Sequence, residues 1–142
     1  MKLGPLLDHL RALEGSVATE LRAAAERHRD DHDVFHQCLT FAVGADERAG
    51  KLEPHARRYP GRSKWASAVG GGSEDLLEEL RALFLRLQEV SVTWTMAVQA
   101  AMAARDQGLL TLATSCAAGT ETQAKWLMMR IKTGAPQALV VA

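Results

Sequence analysis

Three histidines, His28, His32 and His36, have the residue type and spacing that come closest to a metal site in this sequence. They are four residues apart, so on one continuous helix they would share a face, and imidazole binds transition metals well. The segment RHRDDHD at 27–33 is strongly polar, which predicts a turn there. We therefore predict that these histidines are solvated or cap a helix, with a metal cluster as the alternative.

Nucleophilic and nucleotide-binding chemistry have little support in the sequence. It contains no Gly-x-Ser-x-Gly, P-loop, His-Glu-x-x-His or Cys-x-x-Cys pattern. Cys38 lies two residues from His36, and residues two apart on a helix point away from each other. Cys38 and Cys116 both fall on apolar helix faces, which predicts buried, reduced thiols. The sequence thus favours a non-enzymatic protein over an enzyme without deciding between them.

A basic group accompanies the strongest break in the apolar pattern, Pro60-Gly61. Its members are Arg57, Arg58, Arg62 and Lys64. We favour a solvated loop in which Trp65 lies against the rest of the protein. The alternative is a binding site for an anion or an acidic partner.

The elements that position these residues are four long helices. Apolar residues recur at spacings of three and four, which predicts helices near 5–28, 31–58, 74–105 and 109–132. The third is apolar on several faces, so we expect several neighbours to bury it. Short polar turns join the first two and the last two helices, which predicts two antiparallel hairpins. The result is an all-α, single-domain four-helix bundle over residues 1–142.

Composition excludes several classes of protein. Lys plus Arg and Asp plus Glu are both 17, so the formal net charge is zero, which argues against general nucleic-acid binding. No apolar run approaches the roughly 18 residues of a membrane span, and the N-terminal residues do not resemble a signal peptide. We therefore expect no membrane or nucleic-acid partner and a cytoplasmic location.

The long connection between the two hairpins decides the topology. Residues 59–72 could reach roughly 46 Å at about 3.3 Å per residue. The second helix, about 42 Å long, is just within that reach. A link that crosses from one end of the bundle to the other is therefore feasible, and it would explain a loop that an up-down-up-down bundle does not need.

Two long hairpins joined by a crossover, over residues 5–132, resemble the ferritin-like superfamily. The final stretch KWLMMRIKTGAPQALVV at 125–141 is also similar to ferritin-like bacterial proteins. The resemblance implies an iron or manganese site, since that family takes one Glu from each of two helices and a Glu-x-x-His from each of the others. The residues it implies as ligands are Glu20, Asp33, His36, Glu89 and Glu121. Ala124 stands where the second His belongs, so the pattern is incomplete.

Three functions follow from these observations. The favoured one is a non-enzymatic structural or interaction protein with a degenerate ferritin-like bundle. The second is an iron- or manganese-binding protein. The third is an apolar small-molecule binder that uses the bundle core, because the second helix has a face of small residues such as Gly44 and Ala45.

We also predict a homodimer through the third helix. That helix carries apolar residues outside its main stripe, and the tail at 138–141 is apolar as well. The off-stripe residues are Leu85, Val92, Met96 and Met102. Exposed together they would exceed the apolar patch that monomers usually show, and a two-fold dimer is the commonest way to cover one.

Overall fold

Four long helices dominate the computed structural model, which describes residues 2–65 and 72–141. Their bounds are α1, Leu3–Arg27; α2, His32–Ala56; α3, Leu76–Ala103; and α4, Gln107–Pro136. A short π-helical turn, Gln137–Val141, follows α4. The described residues include no β-strand. The predicted all-α four-helix bundle is confirmed, with helix ends that differ by a few residues.

Aspartates begin three of the four helices. Asp31, Asp75 and Asp106 each accept a hydrogen bond from the backbone N–H three residues later, at 3.1, 3.1 and 3.0 Å. Each carboxylate satisfies a backbone donor that the first helical turn leaves unpaired. The hydroxyl of Ser73, directly before the predicted helix at 74–105, makes it the expected cap of α3, but Ser73 is not the cap. It accepts instead from the Asp75 N–H at 3.1 Å, so the helix begins later than expected.

The end of α4 also differs from the prediction. We expected Gly134 and Pro136 to stop the helix near residue 132, but it continues to Pro136. A glycine ends a helix when its φ is positive. Among the described glycines only Gly61 has a positive φ, so Gly134 does not end α4. The apolar tail at 138–141 is expected to pack on the bundle or on another subunit, but Leu139, Val140 and Val141 are 74%, 83% and 67% exposed, so packing on the bundle is wrong for them. Its packing on another subunit stays a prediction.

Each helix lies antiparallel to both of its neighbours. Contacts between α1 and α3 join Arg27 to Glu79 at one end and Glu14 to Trp94 further along. Contacts between α2 and α4 join Asp31 to Arg130, and at the other end of α2 Arg58 contacts Asp106. Because α2 and α3 therefore run in the same direction, the link between them must cross the length of the bundle.

The described ends of the link lie at opposite ends of the bundle. At the near end, the Tyr59 hydroxyl donates to Asp106 at 2.7 Å, and a Cβ on Gly4 would lie 2.1 Å from the Pro60 carbonyl oxygen. At the far end, the His28 ring lies 2.7 Å from the Ser73 carbonyl. These contacts confirm the predicted crossover; residues 66–71 lie outside the described part.

The core runs along the axis of the bundle. Leucines from all four helices fill it, together with Trp94, which is fully buried. Among the described residues, four charged side chains and two histidines interrupt this apolar core. They are Glu14, Arg48, Glu79 and Arg86, with His9 and His28.

Candidate functional site

The middle of the bundle contains a polar cluster to which each helix contributes one side chain. The four residues, Glu14, Arg48, Trp94 and Gln123, are at most 8% exposed. Arg48 binds Glu14 in a bidentate manner, with Nε at 2.5 Å from Oε2 and Nη2 at 3.0 Å from Oε1. The Trp94 indole N–H donates to the same Oε2 at 2.9 Å. We call these four residues the central cluster.

The central cluster is electrically neutral and rigidly held. Glu14 accepts three hydrogen bonds, and Arg48 Nη2 also donates to Gln123 Oε1 at 3.3 Å. A guanidinium matches a carboxylate with two parallel bonds, which fixes both side chains. A buried ion pair contributes little net stability against an apolar substitute, but loss of one partner leaves an uncompensated charge. The cluster therefore links all four helices at one level of the bundle.

A second cluster surrounds Arg86, which is 4% exposed. Its Nε lies 2.9 Å from Glu20 Oε2, its Nη1 donates to Glu89, and its Nη2 donates to Ser16 Oγ at 2.8 Å. Glu20 and Glu89 are two of the ligands implied by the ferritin-like resemblance. The fold brings them together, but around a guanidinium, and a metal cation would have to displace that positive charge.

A third cluster surrounds Glu79, which is 1% exposed. Arg27 Nε donates to it at 2.8 Å, and the Ser73 N–H donates at 3.2 Å. The His28 ring nitrogen Nε2 lies 3.3 Å from the same carboxylate. This cluster attaches the far end of the link to α1 and α3. Of the two roles predicted for His28, the solvated one is wrong, because its ring is enclosed at this junction; the residue occupies the C-cap position of α1.

The other three implied ligands lie apart from these clusters. Asp33 and His36 are exposed near the start of α2, and Glu121 is exposed on α4. In residues 2–65 and 72–141, no three His, Cys, Asp or Glu side chains are grouped as metal ligands would be. His32 is exposed as predicted, and the expected turn at 28–31 separates His28 from the helix that carries the other two histidines.

Both cysteines are free and buried, as predicted. Burial raises the pKa of the Cys38 thiol to about 12 and the pKa of the Cys116 thiol to about 11. These pKa values include smaller contributions from neighbouring carboxylates, Glu79 for Cys38 and Glu14 for Cys116. Because the thiolate is the nucleophile, neither cysteine is prepared for covalent chemistry.

The predicted basic group is only partly free to bind an anion. Arg58 contacts the Asp106 carboxylate at 2.9 Å, and Arg57 lies 3.5 Å from Glu53. Arg62 and Lys64 are exposed. Trp65 is 46% exposed, and its ring meets the His9 ring edge-on at 5.3 Å, so it lies against α1 as favoured.

A cleft of about 460 Å³ lies beside the central cluster, between α2 and α4. Gly44 and Gly119 form part of its walls, and Arg48 closes its inner side. A Cβ on Gly44 would lie 3.5 Å from Arg48 Nη1, and one on Gly119 would lie 3.8 Å from the same atom. At Gly44 the small face predicted for the second helix is packed, since a Cβ there would lie 2.9 Å from Gln123 Nε2, and the cleft opens beside it toward Gly119.

Arg48, Arg86 and Glu79 are not among the site residues predicted from the sequence, although their positions relative to the apolar stripes could have identified them as buried. Each lies three residues after one apolar stripe residue and four before another; Arg48, for example, lies between Ala45 and Leu52. A charged residue at that phase faces the core with its neighbours. The sequence could thus have identified the buried charges, but not which charge pairs with which.

The fold and the clusters define a four-helix bundle with a crossover link and an ion-paired interior. Comparison with protein-family models, with curated proteins and with solved structures found no match to this chain. Membership of the ferritin-like superfamily therefore stays a prediction. None of the helices in the described residues is long and apolar enough to cross a membrane.

Proposed function

We propose that this chain is a non-enzymatic interaction protein that pairs with a second copy of itself through the outer face of α3. The observation that carries the proposal is the lack of charge on the C-terminal half of that face; toward Leu85 the face also carries Arg81 and Glu89. From Val90 to Ala104 the sequence contains no Asp, Glu, Lys or Arg, although the segment has exposed positions throughout. Depletion of charge, with Met and aromatic enrichment, is typical of the core of a protein interface.

The exposed apolar residues of α3 form one stripe. Leu85, Val92 and Met96 are 50%, 58% and 41% exposed, and their spacing of seven and four places them within about 40° of one another around the helix. In an antiparallel two-fold pairing, Leu85 of one copy would oppose Met96 of the other, with Val92 near the axis. Met102 is also exposed, but it lies about 100° away around the helix and would not join this contact.

The iron- or manganese-binding function has less support. The carboxylates that the bundle encloses, Glu14, Glu20 and Glu79, each bind an arginine. A guanidinium occupies the space and supplies the positive charge that a metal would supply. The residues at the bundle centre therefore do not fit a dinuclear metal group.

Sedimentation of the purified protein tests the proposed pairing. We expect a dimer at micromolar concentration, and a folded monomer when Leu85→Glu and Met96→Glu are combined, because two opposed pairs of carboxylates would repel in the interface. Val43→Glu with Met129→Glu is the matched control, since both residues are apolar and about half exposed on other helices. A monomeric unmodified protein, or a monomeric control variant, would contradict the proposal.

A further inference from the structure

Arg48 has a nitrogen that the central cluster does not use. Its Nε and Nη2 donate to Glu14 and Gln123. Within the described part of the chain, Nη1 donates to no protein acceptor; it is not among the buried nitrogens that lack a partner, so it is open to solvent although Arg48 as a whole is only 8% exposed. A guanidinium offers five N–H donors and no acceptor, so only an acceptor group can complete it.

The unused nitrogen faces the cleft between α2 and α4. It lies near Gly44 and Gly119, where a Cβ would be 3.5 and 3.8 Å away; Gln123 Nε2 fills the space beside Gly44, so the open space lies toward Gly119. Glu14 and Gln123 hold the guanidinium in place, so binding a ligand would cost it little conformational entropy. This combination of a fixed donor and an open space distinguishes the position from an ordinary surface arginine.

The rest of the cleft has one polar side and one apolar side. Lys51 lies one helical turn beyond Arg48 on α2, and the hydroxyl residues Thr111 and Ser115 line α4. Leu112 and Cys116 supply apolar surface. Glu14 neutralises Arg48, and the exposed Glu47 offsets part of the charge of Lys51 at the mouth.

We propose that this cleft binds a small monocarboxylate with a short apolar body. The carboxylate accepts from Arg48 Nη1 and pairs with the Lys51 ammonium, and the body lies against Leu112 and Cys116. Charge-assisted bonds of this kind are about twice as strong as neutral ones, so the head group provides the specificity. The volume of about 460 Å³ falls within the range of small-molecule sites, which in bundles lie between helices. The inference is independent of the pairing through α3.

Octanoate is a suitable first probe, with 1-octanol and octylammonium as matched compounds that differ in the head group. Titration can be followed through the amide resonances of Gly44 and Gly119 in a ¹⁵N-labelled sample. We expect saturable shifts with octanoate and at least about tenfold weaker binding of 1-octanol, which corresponds to the loss of one charged hydrogen bond. Benzoate is titrated as a second carboxylate of different shape.

Variants then locate the site. Gly119→Leu should fill the cleft and weaken octanoate binding at least about tenfold, and Lys51→Met should weaken it several-fold. Ser115→Leu provides a second obstruction if Gly119→Leu does not fold. Gly15→Leu is the control, because Gly15 is exposed on α1 with open space around it, and it should leave binding unchanged.

Four results would overturn the proposal. They are the absence of saturable binding of both octanoate and benzoate at millimolar concentration, equal affinity for 1-octanol, equal affinity for octylammonium, and octanoate binding that survives both obstructing substitutions.

Discussion

At the scale of single residues, the buried charges behave as pairs whose members depend on each other. Arg48→Met would leave Glu14 buried without its partner, and we expect it to lower the free energy of unfolding by about 3–5 kcal/mol. Adding Glu14→Met should recover part of that loss, because the double variant contains no unpaired charge. Urea unfolding monitored by circular dichroism measures the stability of the two single variants, Arg48→Met and Glu14→Met, and of the double variant.

The matched control for this cycle is the exposed pair Arg22–Asp46, which also joins α1 to α2. Both side chains are about half exposed, so Arg22→Met should change stability by no more than about 1 kcal/mol. Effects of Glu14→Met and Arg48→Met that simply add, within about 0.5 kcal/mol, would show that the two residues do not act as a pair.

The cysteines provide a second prediction at this scale. Because the pKa of Cys38 is raised to about 12 and the pKa of Cys116 to about 11, almost no thiolate is present at pH 8. We expect slow labelling by an aromatic disulfide reagent in the native state and fast labelling in urea. Cys116 should react before Cys38, since it lines the cleft; Cys38→Ala and Cys116→Ala assign the two phases. Rapid native labelling of both thiols would contradict the buried positions.

At the scale of elements, Asp106 both begins α4 and holds the end of the preceding hairpin. It accepts from Tyr59 at 2.7 Å and from the Leu109 N–H at 3.0 Å, and Arg58 lies 2.9 Å away. The Tyr59 hydrogen bond, the Leu109 N–H and the Arg58 charge together hold the pKa of Asp106 below its ordinary value. The stability it contributes is therefore present above the unfolded-state pKa and is lost as pH falls through the lower folded-state pKa.

Asp106→Asn keeps a side chain that can cap a helix but removes the charge. We expect it to lower the free energy of unfolding at pH 7 by about 1 kcal/mol, and its difference from the unmodified protein to shrink as pH falls below about 4. Thermal unfolding between pH 3 and pH 7 measures this. Asp75→Asn, at the exposed cap of α3, is the control. A pH-independent difference for Asp106→Asn would argue against the assigned role.

At the scale of the whole molecule, the length of the link determines whether the crossover can form. Tyr59 and Ser73 are fourteen peptide steps apart, which reach about 46–50 Å when extended. They lie near opposite ends of α1, and the helix rises about 35 Å between Gly4 and Arg27. The natural link, when fully extended, therefore exceeds that distance by about 11–15 Å.

Deleting residues 66–71 would leave eight steps, which reach only about 28 Å. We expect this variant either to lose its cooperative unfolding transition or to exchange hairpins between two copies, as measured by circular dichroism and sedimentation. Replacing the same residues with Gly-Ser-Gly-Ser-Gly-Ser keeps the length and should preserve the fold. A deletion variant that unfolds like the unmodified protein, with the same molecular mass, would contradict the crossover.

The sequence by itself determined the four helices and the two hairpins, because apolar periodicity, capping aspartates and short polar turns act over a few neighbouring residues. On these grounds the cap of α2 could be narrowed to Asp30 or Asp31, of which Asp31 is the cap, and Cys38 and Cys116 could be assigned as buried thiols. The cap of α3 and the end of α4 were placed wrongly, since several residues near each end were competent and small differences in backbone geometry selected among them.

Only the tertiary structure decided which distant side chains meet. Glu14 and Arg48 are 34 residues apart and Glu14 and Trp94 are 80 apart, so their contact depends on how whole helices pack. Glu20 and Glu89 did converge, as the resemblance implied, but Arg86 stands between them, and nothing local to either glutamate indicates that. Likewise, the reach of the link showed only that a crossover was feasible. The antiparallel contacts of α1 with α3 and of α2 with α4 made it necessary, because they fix the direction in which each helix runs.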